Sequence, residues 1–413
     1  MQPPVPFFEQ PGVRLSKIEV GPGVPFGLQS VYHPEVGIGG VYGTWGEFYD
    51  NTTLPQLIEH RMGEPLREET RMELASLGFI YRHHIADLSP EEDVEVELKV
   101  GETLLREAAL ACGWKPEEVE GVLIGCSGPI SDDYTVEIAR RAGIPESAWK
   151  VSMHKACDGS VASLHMALNP ELKVNHDLGI NLAEDLRGKK VLVGGIEGLS
   201  RFIKFSRDIN ALQLFGNGAG VIGVIPGKTL RFLVGKAHEV FDEEGVLGVH
   251  MYYPHSRRRH KTETNVETSL AGPRHIRVAG LMNEPSDGRP VVMAGPMGMV
   301  KLFVRCGVQV VCEVYAAYQE WLGRAGEMGK KIAACVVHHA NYKINKLKEK
   351  QLQNAGVSLE MPWVLSEFGN VSAASNMIAF LRQLPTMKPA DHILVDGFGA
   401  GTYYDVLVTA LGE

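Results

Sequence analysis

The feature that most constrains this chain is an alternation, met twice, of short apolar runs with helical segments. In the first half, residues 93–112 carry the periodicity of an amphipathic helix, and Gly121-Val122-Leu123-Ile124-Gly125-Cys126 follows as a short buried strand. A helix near 134–143, the strand Lys150-Val151-Ser152-Met153, a helix from Cys157 to Leu168 and the strand Val191-Leu192-Val193-Gly194-Gly195 continue the series. Strands and helices in this order imply a largely parallel sheet covered on both faces. The second half resembles the first, with helix 297–323, strand 332–337, helix 341–355, strand 362–366, helix 371–383, strand 392–396 and a final strand 403–411. Two similar α/β halves are therefore expected, residues 1–227 and 293–413. The Pro- and Gly-rich beginning receives no assigned elements. The polar stretch 228–292, with Arg257-Arg258-Arg259-His260-Lys261, reads as an insertion whose basic run is a solvated loop or a phosphate site.

A chain of 413 residues that is 44% hydrophobic can fill a two-lobed core. Its formal net charge of −9 gives no general basic surface for nucleic acid or anionic lipid, so an acidic partner must be met by a local patch. The N-terminus lacks the basic start and apolar core of a signal peptide, and no window is apolar enough to span a bilayer. The expectation is a soluble cytoplasmic protein. The six cysteines, at 112, 126, 157, 306, 312 and 335, include no paired CxxC, so neither a disulfide framework nor a structural zinc site is suggested.

Three strand-to-helix corners hold residues able to do chemistry. Cys157, in His-Lys-Ala-Cys-Asp-Gly-Ser, opens an apolar helix. A thiol there meets the positive end of the helix dipole, which favours thiolate, and a neighbouring N–H can bind an oxyanion. The local sequence is equally open to a buried, inert thiol. His338 and His339 follow an apolar strand and precede Ala340-Asn341. One imidazole could donate to a carbonyl oxygen that becomes an enolate, or both could be structural; a metal site is weaker, since no third ligand lies nearby. Asn370, in Glu-Phe-Gly-Asn-Val-Ser-Ala-Ala-Ser, suits a helix cap or an oxyanion donor. The Gly-rich turns at 216–220 and 397–401 lack dinucleotide-binding context and read as sites of close backbone packing.

In order, these segments resemble the ketoacyl-acyl-carrier-protein synthase III family of thiolase-fold enzymes. Ala-Cys-Asp-Gly-Ser looks like the family's nucleophile start, and 216–220 looks like its Gly-Asp-Gly-Ala-Gly turn. His338-His339-Ala340-Asn341 looks like its His-Gln-Ala-Asn, and 369–375 like its Gly-Asn-Thr-Ser-Ala-Ala-Ser. The closing Gly-Phe-Gly-Ala-Gly matches at 397–401. The match runs over about 75–227 and 293–413.

The resemblance implies an α/β thiolase fold in αβαβα layers. It implies Cys157 as the acylated nucleophile, and His338 and Asn370 as donors to the carbonyl oxygen during condensation. Backbone N–H groups of Cys157 and Ala400 would form the oxyanion hole, and Asn341 would contact a coenzyme A or phosphopantetheine arm. The implied reaction is decarboxylative Claisen condensation of the Cys157-bound acyl group with a malonyl-type thioester, without metal or redox cofactor. Alternatives are acyl transfer to oxygen or nitrogen, non-decarboxylative condensation, and a non-catalytic partner subunit. Lys343, Lys346 and Lys350 share a helix face, open to docking an acidic acyl carrier protein or to plain solvation. A homodimer through the N-terminal half is implied by resemblance alone.

The chain departs from the family pattern at several points. His154 and Lys155 replace small apolar residues before the nucleophile, and Asp158 follows it directly. Ile80 stands where a coenzyme A-contacting arginine would fall, and Thr402-Tyr403-Tyr404 replaces Thr-Trp-Gly. A specialised relative with an unusual acyl donor or acceptor is expected.

Overall fold

The computed structural model describes residues 14–412, apart from 86, 129, 132, 174, 176–178, 205, 240–249, 252–264, 269–273, 280–290, 293–297, 299 and 400–402. Its strands are β1 (Arg14–Gly21), β2 (Val24–His33), β3 (Ile38–Trp45), β4 (Glu47–Asp50), β5 (Tyr81–His84), β6 (Gly121–Gly125), β7 (Trp149–His154), β8 (Val191–Glu197) and β9 (Gly218–Val224). These are followed by β10 (Leu230–Glu239), β11 (His250–Met251), β12 (Asn265–Thr268), β13 (His275–Ala279), β14 (Val291–Val292), β15 (Ile332–Val337), β16 (His392–Gly399) and β17 (Tyr403–Leu411). One sheet has the order β1-β2-β3-β9-β8-β6-β7-β13-β12 and a second the order β10-β17-β16-β15.

The sheets stand in five layers. The helices Gly159–Leu168 and Ser375–Gln383 lie between them, touching strands of both. Pro90–Ala111 and Tyr134–Arg141 cover the outer face of the first sheet, and Gly307–Ala325 packs on β10 and β17 outside the second. A central helix has no solvent face, which is why Gly159–Leu168 is apolar or small except at His165 and every residue in it is buried. The strands beneath it, β6 and β8, are buried on both faces and read as continuous apolar runs.

Several expectations need correction. The first sheet is mixed rather than largely parallel. Pairings β1–β2, β2–β3, β3–β9, β8–β9 and β12–β13 are antiparallel; only β6–β8, β6–β7 and β7–β13 are parallel. The antiparallel part comes from the beginning of the chain, where Gly23 and Gly37, at φ +68° and +69°, turn β1 into β2 and β2 into β3. Within 228–292, β10 pairs with β17 in the second sheet and β13 with β7 in the first, so these segments are sheet strands rather than inserted loop. The run 257–261 lies outside the described residues.

Residues 362–366 form no strand. Their backbone is satisfied by side chains instead: Val364 N–H donates to His339 Nε2 at 3.1 Å, and Arg382 donates to Val364 O. The helix expected from 93 begins at Pro90, because Ser89 and Glu92 close a reciprocal capping box. The helix expected over 297–323 is wound as a π-helix across Val300–Cys306 before it becomes α-helical at Gly307. No helix of the described residues is long and apolar enough to cross a membrane.

Candidate active site

Cys157 sits in a single 3₁₀ turn, Ala156–Asp158, between β7 and the buried helix Gly159–Leu168. The turn is opened by Ala156 at φ +47°, a left-handed conformation costly for a residue with a Cβ. The second half repeats the device: Ser372, at φ +43°, opens the turn Ser372–Ala374 before the buried helix Ser375–Gln383. The two turns pack on each other between the sheets. Ser372 Oγ donates to Cys157 Sγ at 3.2 Å, and the thiol is 7% exposed.

The segment 370–375 ties the expected residues together. Asn370 Oδ1 accepts from Ser372 N–H at 2.9 Å, and Asn370 Nδ2 donates to Ala340 O at 3.1 Å, two residues beyond His338. His338 Nδ1 lies 2.5 Å from Ser375 Oγ. That oxygen also accepts the His339 N–H at 3.3 Å, so its own proton is available to His338 Nδ1. Donation in that direction puts the ring proton on Nε2, which is buried and has no partner among the described residues. Burial, reinforced by His339 and Lys348, holds His338 well below the ordinary histidine range, so it is neutral. The arrangement offers a neutral N–H donor.

His339 is committed elsewhere. Its Nδ1 lies 2.8 Å from Val337 O and its Nε2 accepts from Val364, while burial lowers its pKa to about 4. The ambiguity between adjacent histidines is thus resolved by their neighbours. Asn341 caps the helix Tyr342–Asn354, its Oδ1 accepting from Ile344 N–H at 3.0 Å. Lys343, Lys346 and Lys350 are exposed on that helix, and Lys346 pairs with Glu349 at 2.7 Å. Ala400 lies outside the described residues, although β16 leads to it through Phe398 and Gly399.

Two buried groups escaped the sequence reading. Glu197, at the end of β8, accepts from Ser127 N–H at 2.9 Å, from Ser127 Oγ at 2.7 Å and from Ala373 N–H at 3.1 Å. Ser127 Oγ lies 2.6 Å from Ser372 Oγ, so Glu197, the two serines and the Cys157 thiol stand in one line of polar contacts, and every link can carry a proton when Glu197 is protonated and donates to Ser127. Burial raises Glu197 to about 7 against the pull of these donors. Lys348 forms a buried ion pair with Asp396 at 2.6 Å, its ammonium 4.1 Å from the centre of the Phe398 ring. Phe398 in turn meets His338 edge-on, with ring centres 5.1 Å apart. A lysine on a helix or a glutamate at a strand end gives no signal in the sequence until the opposing element is known.

Residues 322–411 match the family described as 3-oxoacyl-(acyl-carrier-protein (ACP)) synthase III C terminal. No match is found among curated protein sequences. Solved structures share the fold. β-Ketoacyl-(acyl carrier protein) synthase III from Thermus thermophilus is 21% identical, with 93% of this chain and 98% of that one covered and a TM-score of 0.56. The 3-oxoacyl-(acyl carrier protein) synthase III of Pseudomonas aeruginosa is 17% identical, with 96% and 98% covered and a TM-score of 0.58. The C-terminal type III polyketide synthase domain of Steely1 from Dictyostelium is 13% identical, with 92% and 99% covered and a TM-score of 0.60. These findings agree with the resemblance drawn from the motifs, and the fold is the thiolase fold.

Proposed function

We propose that this chain is a condensing acyltransferase that carries an acyl group on Cys157 and joins it to a second thioester-bound unit. The acyl group arrives as a coenzyme A or carrier-protein thioester. The Cys157 thiolate attacks its carbonyl and the first thiol departs, so the thioester's activation is conserved. A malonyl-type thioester then loses carbon dioxide, and the resulting carbanion attacks the acyl-cysteine carbonyl. During decarboxylation negative charge gathers on the thioester oxygen, where His338 Nε2–H and the Asn370 amide are suited to donate. Thioester activation supplies the driving force, so the reaction calls on no cofactor beyond the coenzyme A or phosphopantetheine arm.

The observation that carries this reading is the state of His338: neutral, fixed by Ser375 through Nδ1, and with a buried Nε2 that no group among the described residues uses. His339 beside it has both nitrogens engaged, by Val337 and Val364. The same reading includes backbone N–H groups of Cys157 and Ala400 as the oxyanion hole, Asn341 beside the substrate arm, docking of an acidic carrier at Lys343, Lys346 and Lys350, and a homodimer.

The test is to incubate the chain and its Cys157→Ala variant with a panel of acyl-coenzyme A and acyl-carrier thioesters and record intact masses. An adduct lost in the variant supports the nucleophile and names the donor. No adduct across the panel favours a non-catalytic partner subunit.

A further inference from the structure

Asp158, immediately after the nucleophile, has no exposure to solvent, and neither has a role in the proposed chemistry been needed for it. Among the described residues neither of its buried carboxyl oxygens has a hydrogen-bond donor, and the carboxyl interacts with that of Asp405 on β17, which is 2% exposed. Two carboxyl groups so placed do not both ionise; the pair holds one proton between them. Asp405 is gripped from its other side, where its Oδ1 lies 2.5 Å from His165 Nδ1. The far nitrogen of that ring, Nε2, faces Asn169 Nδ2 at 3.0 Å. An amide N–H donating into Nε2 leaves the ring proton on Nδ1, directed at Asp405.

The closing Gly-Phe-Gly motif makes room for this cluster. A Cβ on Gly397 would stand 2.2 Å from Asp158 Oδ1, and one on Gly399 would stand 2.9 Å from Asp158 N. Other charged or titratable groups are near. Lys155, on the same turn, acts on both carboxyls and stands 5.5 Å from the Tyr403 ring centre; Tyr404 lies beside Asp158 from β17. Cys157 adjoins it in the chain. From β16, Asp396 is engaged by Lys348.

The geometry points to Asp158 as the protonated member of the pair, with His165 fixing the negative charge on Asp405, so that the Cys157 thiolate is not faced by an anion on its own turn. Asp158 is then a positioning residue whose neutrality, rather than its charge, serves the nucleophile. Burial and the Asp405 charge both drive Asp158 upward; burial is also the largest influence on Asp405 and opposes its ionisation, but the His165 bond, the Lys155 charge and the Asp158 bond together outweigh it and the net shift there is downward.

This rests on Cys157 as the working thiol, and its test reads charge rather than acylation, so the two can fail separately. The ionisation of Cys157 is followed by thiolate ultraviolet absorbance against pH in the full chain, with Cys157→Ala as the blank. Asp158→Asn keeps a neutral donor to Asp405 and is expected to leave the midpoint in place. If Asp158 were an anion in the native protein, the same substitution would lower the midpoint by about one pH unit, and that result overturns the proposal. Asp405→Asn frees Asp158 to ionise beside Lys155 and is expected to raise the midpoint by about one unit, roughly tenfold less thiolate at neutral pH. The double variant is expected to return to the wild-type midpoint. Should Asp405→Asn not fold, Asp158→Asn alone still decides between the two charge states.

Discussion

Ser375 Oγ and His338 Nδ1 stand 2.5 Å apart, and this contact joins the first residue of one buried helix to the end of the strand-to-helix corner after β15. It sets which nitrogen of His338 carries the ring proton. Ser375→Ala removes the hydroxyl, frees the tautomer and leaves Nδ1 buried without a partner. Condensation is expected to fall about tenfold while acyl-adduct formation stays near wild type. Separate measurement of the two half-reactions checks this; equal losses in both would show that the serine only holds the fold.

His338→Ala removes the donor itself. On the proposed mechanism it acts on charge that develops during condensation, so the expected loss is about 10²–10³-fold in product formation, with the adduct on Cys157 retained. Single-turnover assays on pre-acylated enzyme provide the measurement. A variant unable to take up the acyl group would instead tie His338 to the first step.

Glu197 links the site to pH-dependent stability. Its folded pKa, about 7, lies above the ordinary carboxyl value of 4.5, so the native state holds its proton where the unfolded chain has lost it. The contribution is present below about 4.5 and is lost as pH rises to about 7, amounting to about 3 kcal/mol. Denaturant unfolding of wild type and Glu197→Gln across this range should show the wild type alone carrying that downward trend. Parallel curves would remove the assignment.

Lys348 and Asp396 are both without exposure, and deleting one partner leaves the other charged in the interior. Lys348→Met is expected to cost about 3–5 kcal/mol at neutral pH. Burial already raises Asp396, and without the lysine its folded pKa rises further, so protonation favours the native state. The variant should therefore lose stability as pH rises above the unfolded carboxylate value and recover some on acidification. Thermal melts at several pH values test the sign.

Reversal of charge at Lys343, Lys346 and Lys350 addresses docking. These side chains are exposed, so little change in stability is expected. If an acidic carrier binds there, KM for the carrier should rise about tenfold or more, most at low ionic strength, with kcat nearly unchanged. Unaltered KM would leave the lysines as a solvated face.

The local pattern of the chain was enough for the elements that are buried on all sides. The apolar runs at 121–125 and 191–195 and the small-residue helix after Cys157 are legible because elements covered on every face draw mostly apolar and small side chains. The corners holding Cys157, His338 and Asn370 were legible for the same reason, since a polar residue stands out where an apolar run stops. Neither the antiparallel strands β1–β3 nor the strands within 228–292, among them β10 and β13, could be read, because strand pairing depends on partners far away in the chain. Tertiary structure alone decided which of two adjacent histidines keeps a free nitrogen, by bringing Ser375 to one and Val364 to the other. It also brought Glu197 to Cys157 by way of two serines, and Asp405 to His165, 240 residues away in sequence, and to Asp158. A buried polar group is defined by what satisfies it, and those partners are set by the packing of elements rather than by neighbours along the chain.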